Sequence, residues 1–350
     1  MNAAPPPPRV ARVRLLGAAP VVATDAWVLV GQDGGQSIDL DDGDALLVFA
    51  DTLLAYPDAW RAGWPEARWP IRRDQGRFLA NCAARARPGP ALDALARLRY
   101  LSDPQGWPRE LLEATPAEGL ARVRFWPEHG LAVEGRVYLF YLGIQHLAAG
   151  TWGFRTAGTG LARLDPLGGE TRRLRWDGDW RLWPDLADGS RGGVQVLRVG
   201  DHAYVFGSLR HGETVTARLA RVPLEALERR DAYEFLCAPG PLWSRDPARA
   251  LDLGPCGNEF SVAWSAHLGA YLMCYAERGA SALCLRAAEQ PWGPYGLPAR
   301  VGALPVEARN QVAALAFVHP RWCEDGGRAL LVSFCQPNFT RNGLLRVELA

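Results

Sequence analysis

The sequence predicts an all-β protein, and a five-bladed β-propeller in particular. Short apolar runs bounded by Gly, Pro and Asp follow one another through most of the 350 residues, and long stretches of helical periodicity are few. Five of these runs share one plan: a first strand, a turn that contains glycine, and a second strand that is apolar at almost every position. The second strands begin at residues 46, 137, 203, 270 and 329. Strands apolar on both faces must be covered on both sides, and radially packed blades supply that cover.

The spacing of the five units leaves room for four strands in each blade with long connections. A large double-sheet sandwich is the alternative architecture, and it would not require the repeat. Extra length lies between units one and two, where residues 57–77 predict a long loop and residues 91–100 a short helix. Another short helix is predicted over residues 223–230. We expect residues 1–12, which are rich in proline, to form a disordered tail, and residues 13–350 to form a single propeller domain.

The first unit carries two carboxylates that a hairpin can bring face to face. Its turn, residues 41–43, suits a three-residue loop closed by a glycine at positive φ. That loop pairs Leu40 with Asp44 and sets Asp33 opposite Asp51, with their Cβ atoms about 5 Å apart. A two-residue turn would place the two acids on opposite faces. Two like charges this close are costly unless a site uses them.

Polar residues on the other first strands are further candidates, because the innermost strand of each blade faces the central channel. Unit four offers Asn258 and Glu259, and Glu259 opens a run that is otherwise typical of a buried strand, where carboxylates are rare. Unit five offers His319, which could bind a sugar hydroxyl or orient a carboxylate. Asn81 lies between units one and two, and Trp152 is a candidate for stacking on a sugar ring.

Glycoside cleavage needs two carboxyl groups across the scissile bond, one protonated as the acid and one ionised as the base or nucleophile. We assign Asp33 to the base, Glu259 to the acid, and Asp51 to orienting substrate or shifting the pKa of a neighbour. Structural roles stay open for both aspartates. Asp33 with its two following glycines could form only a bulge, and Asp51 could cap backbone amides at the end of a strand.

Composition and motifs argue against several other function classes. A formal net charge of +1 gives no basic footprint for nucleic acid or anionic membrane. The sequence lacks a dinucleotide fingerprint, a P-loop and a GxSxG elbow, and its six histidines show no metal-binding spacing. We therefore expect no cofactor and no dedicated metal site; a hydrated cation in the channel stays open.

The cysteines and the N-terminal region bear on the cellular compartment. Seven Cys without a CxxC pair fit reduced thiols in a cytoplasm. No apolar run approaches the roughly 18 residues of a membrane span. A short, interrupted apolar stretch at residues 15–23 only weakly resembles a signal peptide. We expect a cytoplasmic protein, with export left open and the oligomeric state undetermined.

Several strings of the sequence resemble a widespread microbial family catalogued as a domain of unknown function. They include residues 15–23, 33–37, 47–52, 78–81, 137–141, 205–207, 258–262 and 319–320. The resemblance spans the chain from about residue 13. It implies a five-bladed propeller, and some members are glycoside hydrolases that cleave D-arabinofuranosyl linkages in mycobacterial-type arabinans.

The resemblance also implies roles for particular residues. Asp33 and Asp51 match acidic positions thought to carry hydrolysis, while Asn81, Glu259 and His319 match recurrent residues of the channel mouth. The family usually has glycine where this chain has Ala50, and serine where it has Cys82.

The sequence thus predicts a glycoside hydrolase acting on furanosyl linkages of an oligosaccharide or polysaccharide. The alternatives are a non-catalytic carbohydrate-binding propeller and a protein-interaction propeller. Converging carboxylates would favour the hydrolase over the binding module. A large apolar patch on one rim would favour protein interaction.

Overall fold

Five antiparallel sheets of four or five strands form the five blades of a β-propeller. The computed structural model describes residues 4–60, 74–119, 123–147, 153–167, 169–184, 186, 189–306, 315–335 and 341–350. In chain order the strands are β1 (Val10–Ala18), β2 (Val28–Asp39), β3 (Ala45–Ala55), β4 (Gly76–Leu79), β5 (Cys82–Ala86), β6 (Arg99–Tyr100), β7 (Val123–Val133), β8 (Arg136–His146), β9 (Phe154–Leu164), β10 (Thr171–Arg173), β11 (Ser190–Val199), β12 (His202–His211), β13 (Thr214–Pro223), β14 (Glu234–Ala238), β15 (Leu242–Ser244), β16 (Phe260–Ser265), β17 (Ala270–Ala276), β18 (Ala282–Ala288), β19 (Ala299–Ala303), β20 (Leu315–Val318), β21 (Ala329–Cys335) and β22 (Gly343–Leu349).

Each blade is built from neighbouring segments of the chain. Blade one contains β2, β3, β5 and β6, with β4 paired to β3. Blade two is β7–β10, blade three is β11–β15 and blade four is β16–β19, while β1 joins β20–β22 in blade five. The innermost strands β2, β7, β11, β16 and β20 surround the channel, and neighbours among them are in contact, with β21 bridging β20 to β2. The predicted five-bladed propeller is confirmed, and the sandwich alternative is wrong.

The repeat that predicted this fold is the innermost hairpin of each blade. The second strands β3, β8, β12, β17 and β21 all begin within one residue of the predicted starts. Their continuous apolar runs follow from the packing of the blades. In β8, Leu139 and Tyr141 pack with Leu46 of blade one, whereas Phe140 packs with Val205 of blade three. Because both faces of the strand are buried, no polar position alternates with the apolar ones.

The N-terminal strand closes the ring. Strand β1 pairs with β22 of blade five, with Val13 opposite Val347. It begins at Val10, so residues 10–12, predicted to lie in the tail, belong to the blade. Arg12 and Arg14 are exposed on this edge strand, and charged side chains at an edge discourage pairing with other chains.

The helical predictions are corrected in two places. The helix predicted over residues 91–100 ends after Ala91–Ala96 (α1), because β6 takes up Arg99–Tyr100. The segment predicted as helix over 223–230 is a 3-10 turn at Leu224–Ala226, and a short turn then leads to a second 3-10 turn at Arg230–Ala232. Residues 61–73 of the predicted loop lie outside the described residues, and β4 begins at Gly76 within its predicted range. No helix among the described residues is long and apolar enough to span a membrane.

Candidate active site at the channel

The innermost hairpin of blade one brings Asp33 and Asp51 together, but with a more complex register than predicted. The amide of Leu40 donates to the carbonyl of Asp44 at 2.9 Å, so the three-residue loop is confirmed. Gln32 pairs with Thr52, whereas Gly34 pairs with Phe49. Asp33, which stands between them, therefore lies opposite the two residues 50–51. Gly34 and Gly35, at φ of +79° and +99°, supply the positive φ that these bulges need. The bulge expected as a structural alternative and the paired acids thus occur together.

Asp51 is held in a partly buried position that favours its protonated form. The indole nitrogen Nε1 of Trp126 donates to Oδ1 of Asp51 at 3.2 Å. Burial and the charge of Asp33 raise the pKa of Asp51 to about 7, while Trp126 and the charge of Arg124 act in the opposite direction. The charge of Glu110 adds a smaller rise. Asp51 therefore holds a proton in a substantial fraction of molecules at neutral pH.

Asp33 stands on β2, the innermost strand of blade one. Its Oδ1 accepts a hydrogen bond from the amide of Gly34 at 2.9 Å. Burial raises the pKa of Asp33, while a hydrogen bond from the Cys335 thiol, the Gly34 amide and the charge of Arg191 lower it. Because the two carboxylates repel each other, the pair loses its protons in two separate steps, and over the interval between them it holds one proton.

Two glutamates share one arginine beside this pair. Nη1 of Arg191 donates to Oε1 of Glu259 at 2.6 Å and lies 3.6 Å from Oε1 of Glu128. The side chain of Glu128 is only 1% exposed, and neither of its oxygens accepts a hydrogen bond from the described residues. Burial, then the charge of Glu259, raises the pKa of Glu128 well above its usual range, against the attraction of Arg191. Burial likewise raises the pKa of Glu259 to about 7, against the attraction of Arg191.

Together these side chains form what we call the acid cluster, in which every carboxyl group is coupled electrostatically to at least one other. Its members are Asp33, Asp51, Glu110, Glu128 and Glu259. Glu110 belongs through Asp51 and accepts a hydrogen bond from the amide of Ala80 at 2.7 Å. A site that holds protonated and ionised carboxyl groups side by side near pH 7 is equipped for general acid and base catalysis.

Asn81 has a structural role in place of the predicted role in substrate binding. Its side chain is fully buried, and its Oδ1 accepts from the amides of Leu111 and Leu112 at 2.8 and 2.9 Å. Its Nδ2 donates to the carbonyls of Leu112 and Phe125 at 3.3 and 3.0 Å. Both N–H groups and both acceptor positions of the amide are thus used within the fold, and none is left for a ligand.

His319 is buried directly after β20. Its Nδ1 lies 3.0 Å from Oγ of Ser37, and its Nε2 lies 2.8 Å from Oγ of Ser333. Burial lowers its pKa to about 4, so the ring is neutral at pH 7. With both nitrogens engaged inside the protein, His319 orders the wall of the channel, and the predicted contact with substrate is replaced by these bonds.

The remaining predicted residues lie beside the cluster or outside the described residues. Asn258 directly precedes Glu259 and is half-buried; its backbone carbonyl accepts from Oγ of Ser208 at 2.7 Å. Trp152 lies outside the described residues.

Sequence reasoning missed Glu110, Glu128, Arg191 and Trp126. Glu128 stands inside the first strand of blade two, and Arg191 near the start of the first strand of blade three. The argument that selected Glu259, a charged residue in an otherwise buried first strand, applies equally to these two and would have found them. Glu110 lies in a loop, where the sequence gives no such signal.

The sequence of residues 19–338 matches the family described as a domain of unknown function, DUF4185. The chain belongs to this family. The family resemblance predicted above is thereby confirmed. Among the curated proteins, no sequence matches the chain.

Solved structures of similar fold include glycoside hydrolases. A candidate hydrolase from Bacteroides ovatus is 16% identical, with 91% of this chain and 85% of that chain covered and a TM-score of 0.60. The GH43_1 enzyme from Xanthomonas citri, complexed with xylotriose, is 13% identical over 96% and 90% of the two chains, with a TM-score of 0.50. A family 117 glycoside hydrolase from Zobellia galactanivorans is 12% identical over 97% and 90%, also with a TM-score of 0.50. At these identities the likeness concerns the fold.

Proposed function

We propose that this DUF4185 protein is a glycoside hydrolase that cleaves furanosyl linkages, with D-arabinofuranosyl linkages as the leading candidates. The pairing of Asp33 with Asp51 is the observation that carries the proposal. One hairpin holds two carboxyl groups whose pKa values are both raised by burial, that of Asp51 to about 7, and whose charges repel each other. The propeller glycoside hydrolases of similar fold, one of them complexed with xylotriose, add support.

In this proposal Asp51 is the proton donor and Asp33 the base or nucleophile. Asp51 gives its proton to the glycosidic oxygen as the bond to the anomeric carbon breaks, and Trp126 keeps the carboxyl oriented. Asp33, ionised and held by the amide of Gly34, either takes a proton from the attacking water or attacks the anomeric carbon itself. The negative charge that Asp51 acquires is stabilised by Trp126 and Arg124.

Glu259, which the sequence predicts to be the general acid, is proposed here to bind substrate. Its pKa of about 7 would allow either role, but its hydrogen bond to Arg191 at 2.6 Å favours the ionised form. An ionised carboxylate accepts hydrogen bonds from sugar hydroxyls, and Asn258 beside it is positioned to add to them. Arg191 supplies the positive charge that offsets the charge of Glu259.

The test compares wild type with Asp33→Asn, Asp51→Asn and Glu259→Gln on arabinofuranan and other furanosyl oligosaccharides, by release of reducing ends. We expect the two aspartate variants to lose activity by roughly 10²-fold to 10⁴-fold. Glu259→Gln should mainly raise KM. Asp39→Asn, at the opposite end of the same strand, is the matched control and should retain activity.

Two outcomes would contradict the proposal. Equal product from wild type and Asp33→Asn would remove Asp33 from the reaction. Binding without any product from wild type on the whole panel would favour a non-catalytic carbohydrate-binding propeller.

A further inference from the structure

Aromatic and basic side chains from blades one and two lie around the carboxyl group of Asp51. Arg124 and Trp126 stand two residues apart on β7, so their side chains share one face of the strand. Nε1 of Trp126 donates to Oδ1 of Asp51 at 3.2 Å. The guanidinium of Arg124 lies over the ring of Phe78 in blade one, 5.0 Å from its centroid. The ring of Phe154 contacts that of Trp126 edge to face, with centroids 5.1 Å apart. We call this group the outer wall; its members are Phe78, Arg124, Trp126 and Phe154.

The outer wall extends away from the channel. Asp33 stands on β2, the innermost strand of blade one, and Asp51 on β3, the second strand. Phe154 begins β9, the third strand of blade two, and neighbouring strands lie about 4.8 Å apart. The wall therefore continues outward the row that runs from Asp33 to Asp51. An oligosaccharide whose scissile bond lies at the two acids would place its next sugar unit against the wall.

Arg124 offers hydrogen-bond donors at this wall. Among the described residues no hydrogen bond or ion pair involves its guanidinium, which is held by the ring of Phe78. None of its nitrogens is a buried atom without a partner, so a ligand can reach them from outside. A guanidinium presents five N–H groups in a planar fork, which suits neighbouring hydroxyl groups of one sugar unit.

The charges around Arg124 favour a neutral sugar unit. The charge of Arg124 lowers the pKa values of Asp51 and Glu110, so these two acids lie within its field and offset it. His146, whose ring lies 6.2 Å from that of Phe154, adds no compensating positive charge at pH 7, because burial and then the charge of Arg124 lower its pKa. An anionic group at the wall would be repelled by the nearby carboxylates.

The rings of Trp126 and Phe154 supply an apolar surface beside these donors. Both side chains are partly exposed. The hydrogen bond to Asp51 and the contact between the two rings hold the surface in place before a ligand arrives, which lowers the cost of binding. An aromatic surface with a few fixed donors suits a molecule that has both C–H faces and hydroxyl groups.

We propose that the outer wall is the subsite for the sugar unit that leaves when the glycosidic bond breaks. Trp126 and Phe154 pack on its C–H face, and Arg124 donates to its hydroxyl groups. The assignment to the leaving group rests on the proposed function, in which Asp51 protonates the glycosidic oxygen and Asp33 acts at the anomeric carbon. Binding of a sugar unit at the wall does not itself require hydrolysis. The subsite makes the protein selective for linkages between two sugars over glycosides of small alcohols.

Two substrates that differ only in their leaving group isolate the contribution of the wall. A D-arabinofuranosyl disaccharide releases a sugar, whereas methyl D-arabinofuranoside releases methanol, and both leaving groups need a proton from the acid. We expect Phe154→Leu to lower the ratio of kcat/KM for the disaccharide to kcat/KM for the methyl glycoside about tenfold. Arg124→Lys keeps the charge but removes the planar fork, and it should lower the same ratio. Trp264→Leu is the matched control, because this half-exposed indole makes a similar edge-to-face contact with Tyr271 in blade four; the ratio should stay as in wild type.

Binding to an inactive variant separates the subsite from the hydrolysis. The indole N–H signal of Trp126, assigned by its loss in Trp126→Phe, is followed by NMR in ¹⁵N-labelled Asp33→Asn as the disaccharide is added. We expect a saturable shift of this signal. Adding Phe154→Leu to Asp33→Asn should raise the dissociation constant about tenfold, while the thermal unfolding midpoint shows that the double variant is folded.

The outcomes distinguish failure of the subsite from failure of the proposed function. If Phe154→Leu and Arg124→Lys change neither the ratio nor the dissociation constant while Asp33→Asn abolishes hydrolysis, the outer wall is not the subsite and the proposed function stands. If wild type cleaves neither substrate but Phe154→Leu weakens binding of the disaccharide, the wall is a sugar-binding site and the proposed hydrolysis fails. A Trp126 signal that does not move with the disaccharide overturns the inference.

Discussion

Replacing Asp33 by asparagine should lower the pKa of Asp51. The acid at position 51 has a pKa of about 7 against an ordinary 3.8, with burial as the first cause and the charge of Asp33 as the second. Asparagine has nearly the same shape as aspartate and removes only the charge. The change therefore isolates the electrostatic contribution of one carboxylate to the other.

The size of the effect follows from their places on the hairpin. Asp33 lies opposite residues 50 and 51, and side chains at opposed or diagonal positions of two strands have Cβ atoms about 5 to 8 Å apart, so we take a charge separation of about 7 Å. At an effective dielectric constant of about 20, the repulsion is about 2 kcal/mol, or roughly 1.5 in pKa. We expect the pKa of Asp51 to fall from about 7 to roughly 5.5 in Asp33→Asn, and to stay above 3.8 because the carboxyl is still buried.

The indole N–H of Trp126, which donates to Oδ1 of Asp51, reports this titration by NMR between pH 4 and 9. Its proton resonance should move downfield as Asp51 ionises, since a charged acceptor strengthens the hydrogen bond. Asp39→Asn removes an acid at the far end of the strand and should leave the midpoint where it is. An unchanged midpoint in Asp33→Asn would refute the pairing of the two acids, and a raised one would mean that Asp33 stabilises the ionised form.

Three further predictions concern the same region. Asp51→Asn should be about 4 kcal/mol more stable to urea than wild type at pH 8, since the pKa of Asp51 is 3.8 in the unfolded chain and about 7 in the folded one. Between about pH 4 and 7 only the folded chain keeps this proton, so wild-type stability falls as the pH rises through that window, and equal stability of the two proteins at pH 8 would contradict the prediction. Asn81→Ala should lower the free energy of unfolding by about 3 kcal/mol or more, because the buried amides of Leu111 and Leu112 lose their acceptor. Asn258→Ala is the control, and similar losses in both variants would count against a structural role of Asn81. Arg191→Met should raise the pKa of Glu259 above about 7, because the positive charge that stabilises the ionised carboxylate is removed. The ¹³C shift of the Glu259 carboxyl group measures this titration, and a lower pKa in the variant would contradict the ion pair.

The fold was predictable because its determinants are local. Each blade repeats a hairpin whose glycine-containing turn and doubly apolar second strand can be recognised within about 20 residues, and the five starts agree with the structure to within one residue. The loop that pairs Leu40 with Asp44 is likewise a property of three consecutive residues. The pattern left open whether Gly34 and Gly35 form bulges, since glycine permits positive φ without requiring it.

The candidate site was predictable only in part. Asp33, Asp51 and Glu259 do converge, because each stands on or beside a strand near the channel. The role of Asn81 depended on partners 30 and 44 residues away along the chain, which no local pattern specifies.

The sequence by itself determined the number of blades and the hairpin of blade one. It also identified three acids of the site, Asp33 and Asp51 in blade one and Glu259 beside blade four. Only the tertiary structure decided that Glu128 and Arg191 join them, that Asn81 and His319 serve the scaffold, and that Asp51 has a pKa of about 7. The physical reason is the separation along the chain of the residues that interact. Strand and turn formation depend on neighbouring residues, whereas burial, charge coupling and the partners of a buried side chain depend on which blades the closed ring brings around one channel.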